Sequence, residues 1–277
     1  MTALVAWLGV DERKPSSLYL ASDSRITYQD EDGELVDTWD HGQKLFVCAR
    51  MSDMLGYAGA VPFPSQVLAR MAQQIDCGVF GDQSAAGLER ATRVYEALKR
   101  EHDLYPSWQR QKQLDVIYAT REGEGNGARF CVYQFPWSSS NGWVGITEHS
   151  MPCASGIVVS IGSGDVAVRS RAKRWRNAMG CDVSRSVFGA LCDALADGRD
   201  TTIGGPPQLV GLYPKGPPNI YGVIYDGRRW LCGGEVLPPY PDTRLEWRNE
   251  LLERCDPKTG QLLAGAQRQP RPSGLRP

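Results

Sequence analysis

Apolar residues in the first quarter of the chain come in short runs and not at helical spacing. Residues 5–8 and 18–22 read as two strands joined by the charged turn Asp11-Glu12-Arg13-Lys14-Pro15, and the second strand ends in Asp23-Ser24-Arg25. Another run opens at Gly42-Gln43-Lys44-Leu45-Phe46 and continues to Gly56-Tyr57-Ala58-Gly59-Ala60. The period then changes. Residues 64–75 and 84–102 read as helices, the second with Leu88, Ala91, Val94, Tyr95 and Leu98 on one face. Residues 114–120 and 128–135 form a hairpin, followed by strands near 143–148 and at 156–161. Two further helices, 163–179 and 184–196, precede strands at 208–213, 220–225 and 229–232. This order predicts an α+β chain: a four-layer αββα sandwich with two antiparallel sheets between helix layers. Residues 243–254 read as a short helix, and residues 265–277, rich in Pro, Arg and Gly, as disordered. The expected organisation is a single domain over 2–254 and a disordered tail over 255–277.

Composition narrows the function classes. A 277-residue chain with 42% hydrophobic and 23% charged residues is an ordinary globular chain. Its net charge of −1, with Lys and Arg dispersed, points away from nucleic acid and from anionic membranes. No apolar stretch reaches 18 residues and no signal-like segment opens the chain, so the expected location is cytoplasmic. The eight cysteines include no C-x-x-C pair, so neither zinc nor a disulfide frame is expected, and no metal or cofactor is implied. His41, His102 and His149 lie beside no nucleophile motif. Ser163 lacks the G-x-S-x-G frame because Ile161 holds the first glycine position, which disfavours a serine triad on an α/β-hydrolase.

The candidate chemistry begins at residue 2. Removal of Met1 from Met1-Thr2-Ala3 would leave a hydroxyl and a free α-amine on one residue, and an α-amine with a pKa of roughly 7.7–8.0 can serve as the base. Asp23 and Arg25 stand at a strand end, and Lys44 opens an apolar run. Ser163 sits in Gly162-Ser163-Gly164, and Asp200 precedes Gly204-Gly205. Taken singly these residues also read as a solvated ion pair, a surface lysine, a helix cap and loop polarity. Their joint order says more.

That order resembles the proteasome β-subunit and its bacterial relatives, a branch of the N-terminal-nucleophile hydrolases. Thr2 falls on the family's threonine nucleophile, Asp23-Ser24-Arg25-Ile26-Thr27 on its acid-x-Arg-x-Thr segment, and Lys44 on its lysine. Gly56-Tyr57-Ala58-Gly59 looks like the turn that supplies the oxyanion-hole amide, with Gly59 as donor, while Ser163 and Asp200 complete the set. The resemblance covers about residues 2–236. In one departure the first hairpin is longer, and in another Ile203 replaces a serine, which removes one hydrogen bond near the threonine amine. The helix after the glycine turn also begins with Val61-Pro62-Phe63-Pro64.

The resemblance implies a threonine-type peptidase working through an acyl-enzyme. Asp23 would orient Lys44, Ser163 and Asp200 would fix the α-amine, and Thr27 and Ala60 would bind an extended peptide by main-chain bonds. Tyr57, with Ile26 and Val61, is expected in the pocket wall, and Arg25 near the substrate. The implied partners are a peptide or unfolded protein and further copies in a self-compartmentalised homo-oligomer, with an ATPase regulator left open. Two alternatives remain at this point: a small-molecule amidohydrolase on the same fold, and a catalytically inactive assembly subunit that retains Met1.

Overall fold

The computed structural model describes residues 2–272 apart from 13, 31, 33, 111, 179–182 and 241–244. The elements in chain order are β1 (Leu4–Asp11), β2 (Lys14–Ser22), β3 (Ile26–Gln29), β4 (Leu35–Trp39), β5 (Leu45–Val47), β6 (Asp53–Gly59), α1 (Pro62–Asp76) and α2 (Gly87–Leu104). Next come β7 (Gln113–Glu122), β8 (Arg129–Ser138), β9 (Gly142–Trp143), β10 (Thr147–Glu148), β11 (Gly156–Ile161), α3 (Asp165–Arg176) and α4 (Arg185–Asp197). The chain continues through β12 (Gln208–Leu212), β13 (Asn219–Ile220), β14 (Gly222–Tyr225), β15 (Arg228–Leu231), β16 (Gly234–Glu235), β17 (Trp247–Asn249) and β18 (Arg254–Cys255).

A first sheet has the order β11-β1-β2-β12-β13, and a second has β10-β8-β7-β6-β5 with β9 on β8. β1 is apolar at nearly every position because both its faces are covered. Leu4, Ala6, Leu8 and Leu20 of the first sheet pack with Met54, Ala58, Ile117 and Val132 of the second in one buried cluster. The alternate residues Ala3, Val5, Trp7 and Ala21 face Phe188 and Leu191 of α4. On the far side of the second sheet, Leu55, Tyr57, Tyr118 and Phe135 meet Leu68 and Met71 of α1 and Val94 and Leu98 of α2. The period-2 alternation of the strands and the single apolar stripe of each helix are both used.

Several elements differ from the sequence expectation. The run from Gly42 to Ala60 is two antiparallel strands, β5 and β6, because the Asp76 carboxylate accepts the N–H groups of Ala49, Arg50 and Met51 at 2.6, 2.8 and 3.0 Å and closes a turn between them. The hairpin β3–β4, exposed over much of its length, is additional. So is a third sheet, β16-β15-β14-β17-β18, in which β14 and β17 pair in parallel. The segment read as a helix over 243–254 instead contributes β17 and β18 to that sheet, with Thr243 outside the described residues. Residues 255–272, expected as a tail from composition, are anchored to the rest of the chain at several points. Cys255 is buried, the Gln269 N–H meets Glu253 at 2.7 Å, and Arg271 pairs with Asp193 at 2.6 Å and Glu250 at 3.3 Å. The expected end of the third helix at Met179 also lies outside the described residues; α3 runs to Arg176.

Candidate active site

Register brings the site together. Leu4 of β1 pairs with Ser22 on one side and Ile161 on the other. One or two residues beyond that level, Thr2 and Ala3 are therefore flanked by Asp23 leaving β2 and by Gly162-Ser163 leaving β11. Gln208 opens β12 opposite Ser22, which sets the preceding loop, 200–206, against the same corner.

The Asp23 flank is buried. Asp23 Oδ1 accepts Lys44 Nζ at 2.7 Å and the Ala3 N–H at 3.0 Å, while its Oδ2 accepts the N–H groups of Gly204 at 3.2 Å and Arg25 at 3.3 Å. Lys44 and Asp23 have no exposed surface. Burial lowers the Lys44 pKa, and the Asp23 charge opposes that shift. Gln208 locks the pair from behind. Its Oε1 accepts the Lys44 N–H at 3.0 Å, and its Nε2 donates to the carbonyls of Asp23 and Gly42 and to Ser24 Oγ at 3.2, 2.8 and 2.9 Å.

The other flank is a chain of hydroxyls. Thr2 N donates to Ser163 Oγ at 3.2 Å, Ser163 Oγ meets Thr202 Oγ1 at 2.8 Å, and Thr202 Oγ1 donates to Asp200 Oδ1 at 2.6 Å. The turn that presents Ser163 closes on Thr2 itself, since the Gly164 N–H meets the Thr2 carbonyl at 3.1 Å. Gly162, at φ +89°, could carry no side chain: a Cβ would stand 2.1 Å from that carbonyl oxygen.

Gly59 is shaped by the same constraint. At φ +98°, its Cβ would lie 2.4 Å from the Gln113 carbonyl oxygen. Ladder alternation settles where its amide points. The Ala60 N–H meets Gln113 on the β7 side and the Tyr57 N–H meets Lys44 on the β5 side, so the Gly59 N–H is directed to the β5 side, beyond the last bond to Lys44. Among the described residues no acceptor meets it.

Other residues expected at the site have different surroundings. Asp200 is linked to the Thr2 nitrogen through Thr202 and Ser163. The Ala60 amide is already bonded to Gln113, so it is not a free donor for a peptide. Tyr57 is fully buried beside Phe46, with its OH on the Gln43 carbonyl, because alternation turns it toward α1. Arg25 forms a two-pronged pair with Asp40 at 2.7 and 2.9 Å and donates to the Thr201 carbonyl at 3.2 Å, which ties the 200–206 loop to the chain after β4. Thr27 lies in β3, paired with Thr38 of β4. Thr2 itself is fully buried, and Met1 lies outside the described residues. A cleft of about 250 Å³ is lined by Gln43, Phe46, Gln208, Ile220 and Cys232 among others, and not by Thr2. Among the described residues no acidic, histidine and cysteine cluster suited to a metal ion is found, and no helix is long and apolar enough to cross a membrane.

Comparison with known proteins places the architecture. No family model matches the sequence, and no curated protein matches it. Solved structures do match. Anbu from Hyphomicrobium sp. strain MC1, a Gly-1 mutant, is 15% identical with a TM-score of 0.51, over 77% of this chain and 82% of that one. Anbu, an ancestral beta-subunit, from Yersinia bercovieri is 11% identical with a TM-score of 0.50, over 86% and 88%. The chain has a proteasome-like fold. Eukaryotic HslV from Trypanosoma brucei also matches, at 17% identity and a TM-score of 0.45, over 76% and 99% of the two chains.

Within this proteasome-like fold, two polar residues of the site escape a reading of the sequence. Thr202 stands where attention falls on its neighbour Ile203, which is buried in the α4 cluster and takes no part in the hydroxyl chain. Gln208 looks like any polar residue opening a strand. Its signal is its place at the head of an apolar run that pairs with the strand ending just before Asp23.

Proposed function

We propose that this chain is a threonine-type peptidase of the N-terminal-nucleophile class, built as a four-layer αββα sandwich. The observation that carries this reading is the convergence on residue 2: Asp23 binds Lys44 and the Ala3 amide together, and Ser163 meets the Thr2 nitrogen from the opposite side. After loss of Met1, that nitrogen is an α-amine. The Thr2 hydroxyl attacks a peptide carbonyl, the α-amine takes its proton and returns it to the leaving amine, and water then hydrolyses the ester on Thr2. Lys44, held by Asp23, places positive potential beside the amine and favours its neutral form. The Gly59 N–H is the oxyanion donor, a role typically worth about 10²- to 10³-fold in kcat. The Ser163–Thr202–Asp200 chain holds the amine's direction.

The peptidase works as a homo-oligomer whose sites face an enclosed space, since an open threonine site would cut unfolded chains at random. Surface charge gives this part little support: Arg169 and Arg171 of the basic helix α3 pair inside the chain with Asp165 and Asp197. The test is intact mass combined with hydrolysis of fluorogenic peptide amides and with sedimentation. The reading expects Met1 to be absent, release of the fluorophore, and an assembly well above 30.6 kDa. Active protein that fully retains Met1 would overturn the nucleophile, and a strict monomer hydrolysing only small amides would favour the amidohydrolase.

A further inference from the structure

The inner face of the second sheet carries a carboxylate that the mechanism does not use. Asp115 stands directly opposite Ala58 in the β6–β7 pairing, one step from the Gly59–Leu114 pair. Opposite residues of an antiparallel pair share a face, with Cβ atoms about 5 Å apart. The face is the one turned to β1, since Ala58, Ile117 and Ala119 lie in the cluster that contains Leu4 and Ala6. Asp115 ends that row at the level of the nucleophile. A Cβ on Gly162 would be 3.3 Å from the Ala58 Cβ and 2.1 Å from the Thr2 carbonyl oxygen, which brings the Ala58 position to within a side chain's reach of residue 2.

The partners of Asp115 are neutral. Gln113 Nε2 donates to its Oδ2 at 3.1 Å and Gln134 Nε2 to its Oδ1 at 2.7 Å, and Gln134 Oε1 meets His149 Nε2 at 3.0 Å. Burial, with Arg169 nearby, holds the His149 pKa below its ordinary value, which disfavours a positive charge there. Asp23, Asp53 and Asp193, also buried, each face a cation: Lys44, Arg90 and Arg271. Among the described residues no lysine or arginine forms an ion pair with Asp115. A buried carboxylate without a cation is costly to keep. Each oxygen here takes one amide donor and keeps another lone-pair direction, which is the arrangement a planar guanidinium fills with two parallel N–H bonds.

We propose that Asp115 is the specificity-determining carboxylate of this site and binds the guanidinium of an arginine side chain in the peptide substrate. The inference rests on the peptidase reading for its use but not for its test. Binding is measured by calorimetry on the Thr2→Ala chain, which cannot turn over through Thr2, with acetylated hexapeptide amides in which arginine is scanned through each position. Each peptide is paired with one carrying citrulline, the neutral isostere. At one or more positions arginine should bind at least about 10-fold more tightly, and the preference should fall to within about twofold in Thr2→Ala/Asp115→Asn and persist in Thr2→Ala/Asp115→Glu. Equal binding of the paired peptides, no binding of either, or an arginine preference that survives Asp115→Asn in a folded protein would overturn it. Hydrolysis by the Thr2 protein is scored separately. Arginine-selective binding without hydrolysis would reject the nucleophile and keep the subsite, whereas hydrolysis with equal kcat/KM for arginine and citrulline peptides would do the reverse.

Discussion

The two flanks of Thr2 hold it by different means. On the Asp23 side, Asp23, Ser24, Lys44 and Gln208 are all buried, and the bonds among them also join β2, β5 and the start of β12. On the Ser163 side the serine is exposed, Thr202 and Asp200 are half-buried, and the side-chain bonds run through two hydroxyls to the Asp200 carboxylate. The first flank is therefore part of what makes the chain fold, because a buried charge needs its partner. The second serves the orientation of one nitrogen. Substitutions on the first flank should cost stability and activity together, and substitutions on the second should cost activity alone.

The largest expected effect is at Lys44. Lys44→Met leaves Asp23 buried without its cation, so it should abolish measurable turnover and lower stability by about 3–5 kcal/mol. Urea unfolding beside a peptide assay reads both, and a variant as stable as the parent would break the comparison. Gln208→Leu comes next: it strands the Lys44 amide and the Asp23 and Gly42 carbonyls, for a loss of about 1–3 kcal/mol with reduced kcat. On the other flank, Thr202→Val should lower kcat about 10-fold and change stability by less than about 1 kcal/mol. A stability loss comparable with that of Gln208→Leu would show that the hydroxyl chain also supports the fold.

The smallest effect is one of pH. The Arg25 guanidinium holds the Asp40 carboxyl below its ordinary value of 3.8. An acid whose pKa is lowered by folding contributes stability that is complete above its unfolded value and fades as pH falls through the folded one. Asp40→Asn should thus flatten the acid side of the stability profile below about pH 4 and leave its slope near neutrality unchanged. A change of slope at neutral pH would assign the acid sensitivity elsewhere.

The flanks also differ in how far the sequence reveals them. Thr2, Asp23, Lys44 and Ser163 stand at the ends of apolar runs, and strand ends are where an antiparallel register gathers residues from distant parts of the chain. Long helices and strands such as α2 and β7 declare themselves through their period. Gln208 and Thr202 do not, because their roles depend on which backbone atoms and hydroxyls face them after folding. The face that Tyr57 takes is hard to read for a related reason: a strand with both faces covered alternates between two cores, and hydrophobicity alone does not separate the helix side from the inner side. The third sheet is the least legible region. β13, β16 and β18 have two residues each, and β17 finds its parallel partner β14 more than 20 residues away, so no local alternation marks them. The complete burial of Lys44 makes its charge a structural matter as well as a chemical one.

The central claim is that Thr2 supplies both nucleophile and base, and a peptide α′,β′-epoxyketone tests it most directly, because it bonds to the hydroxyl and the α-amine of a single N-terminal residue. Peptide mapping of the treated protein should find the adduct on Thr2 of a chain lacking Met1, with none on Thr2→Ala. Active protein that keeps Met1, or an adduct on any other residue, would contradict the account.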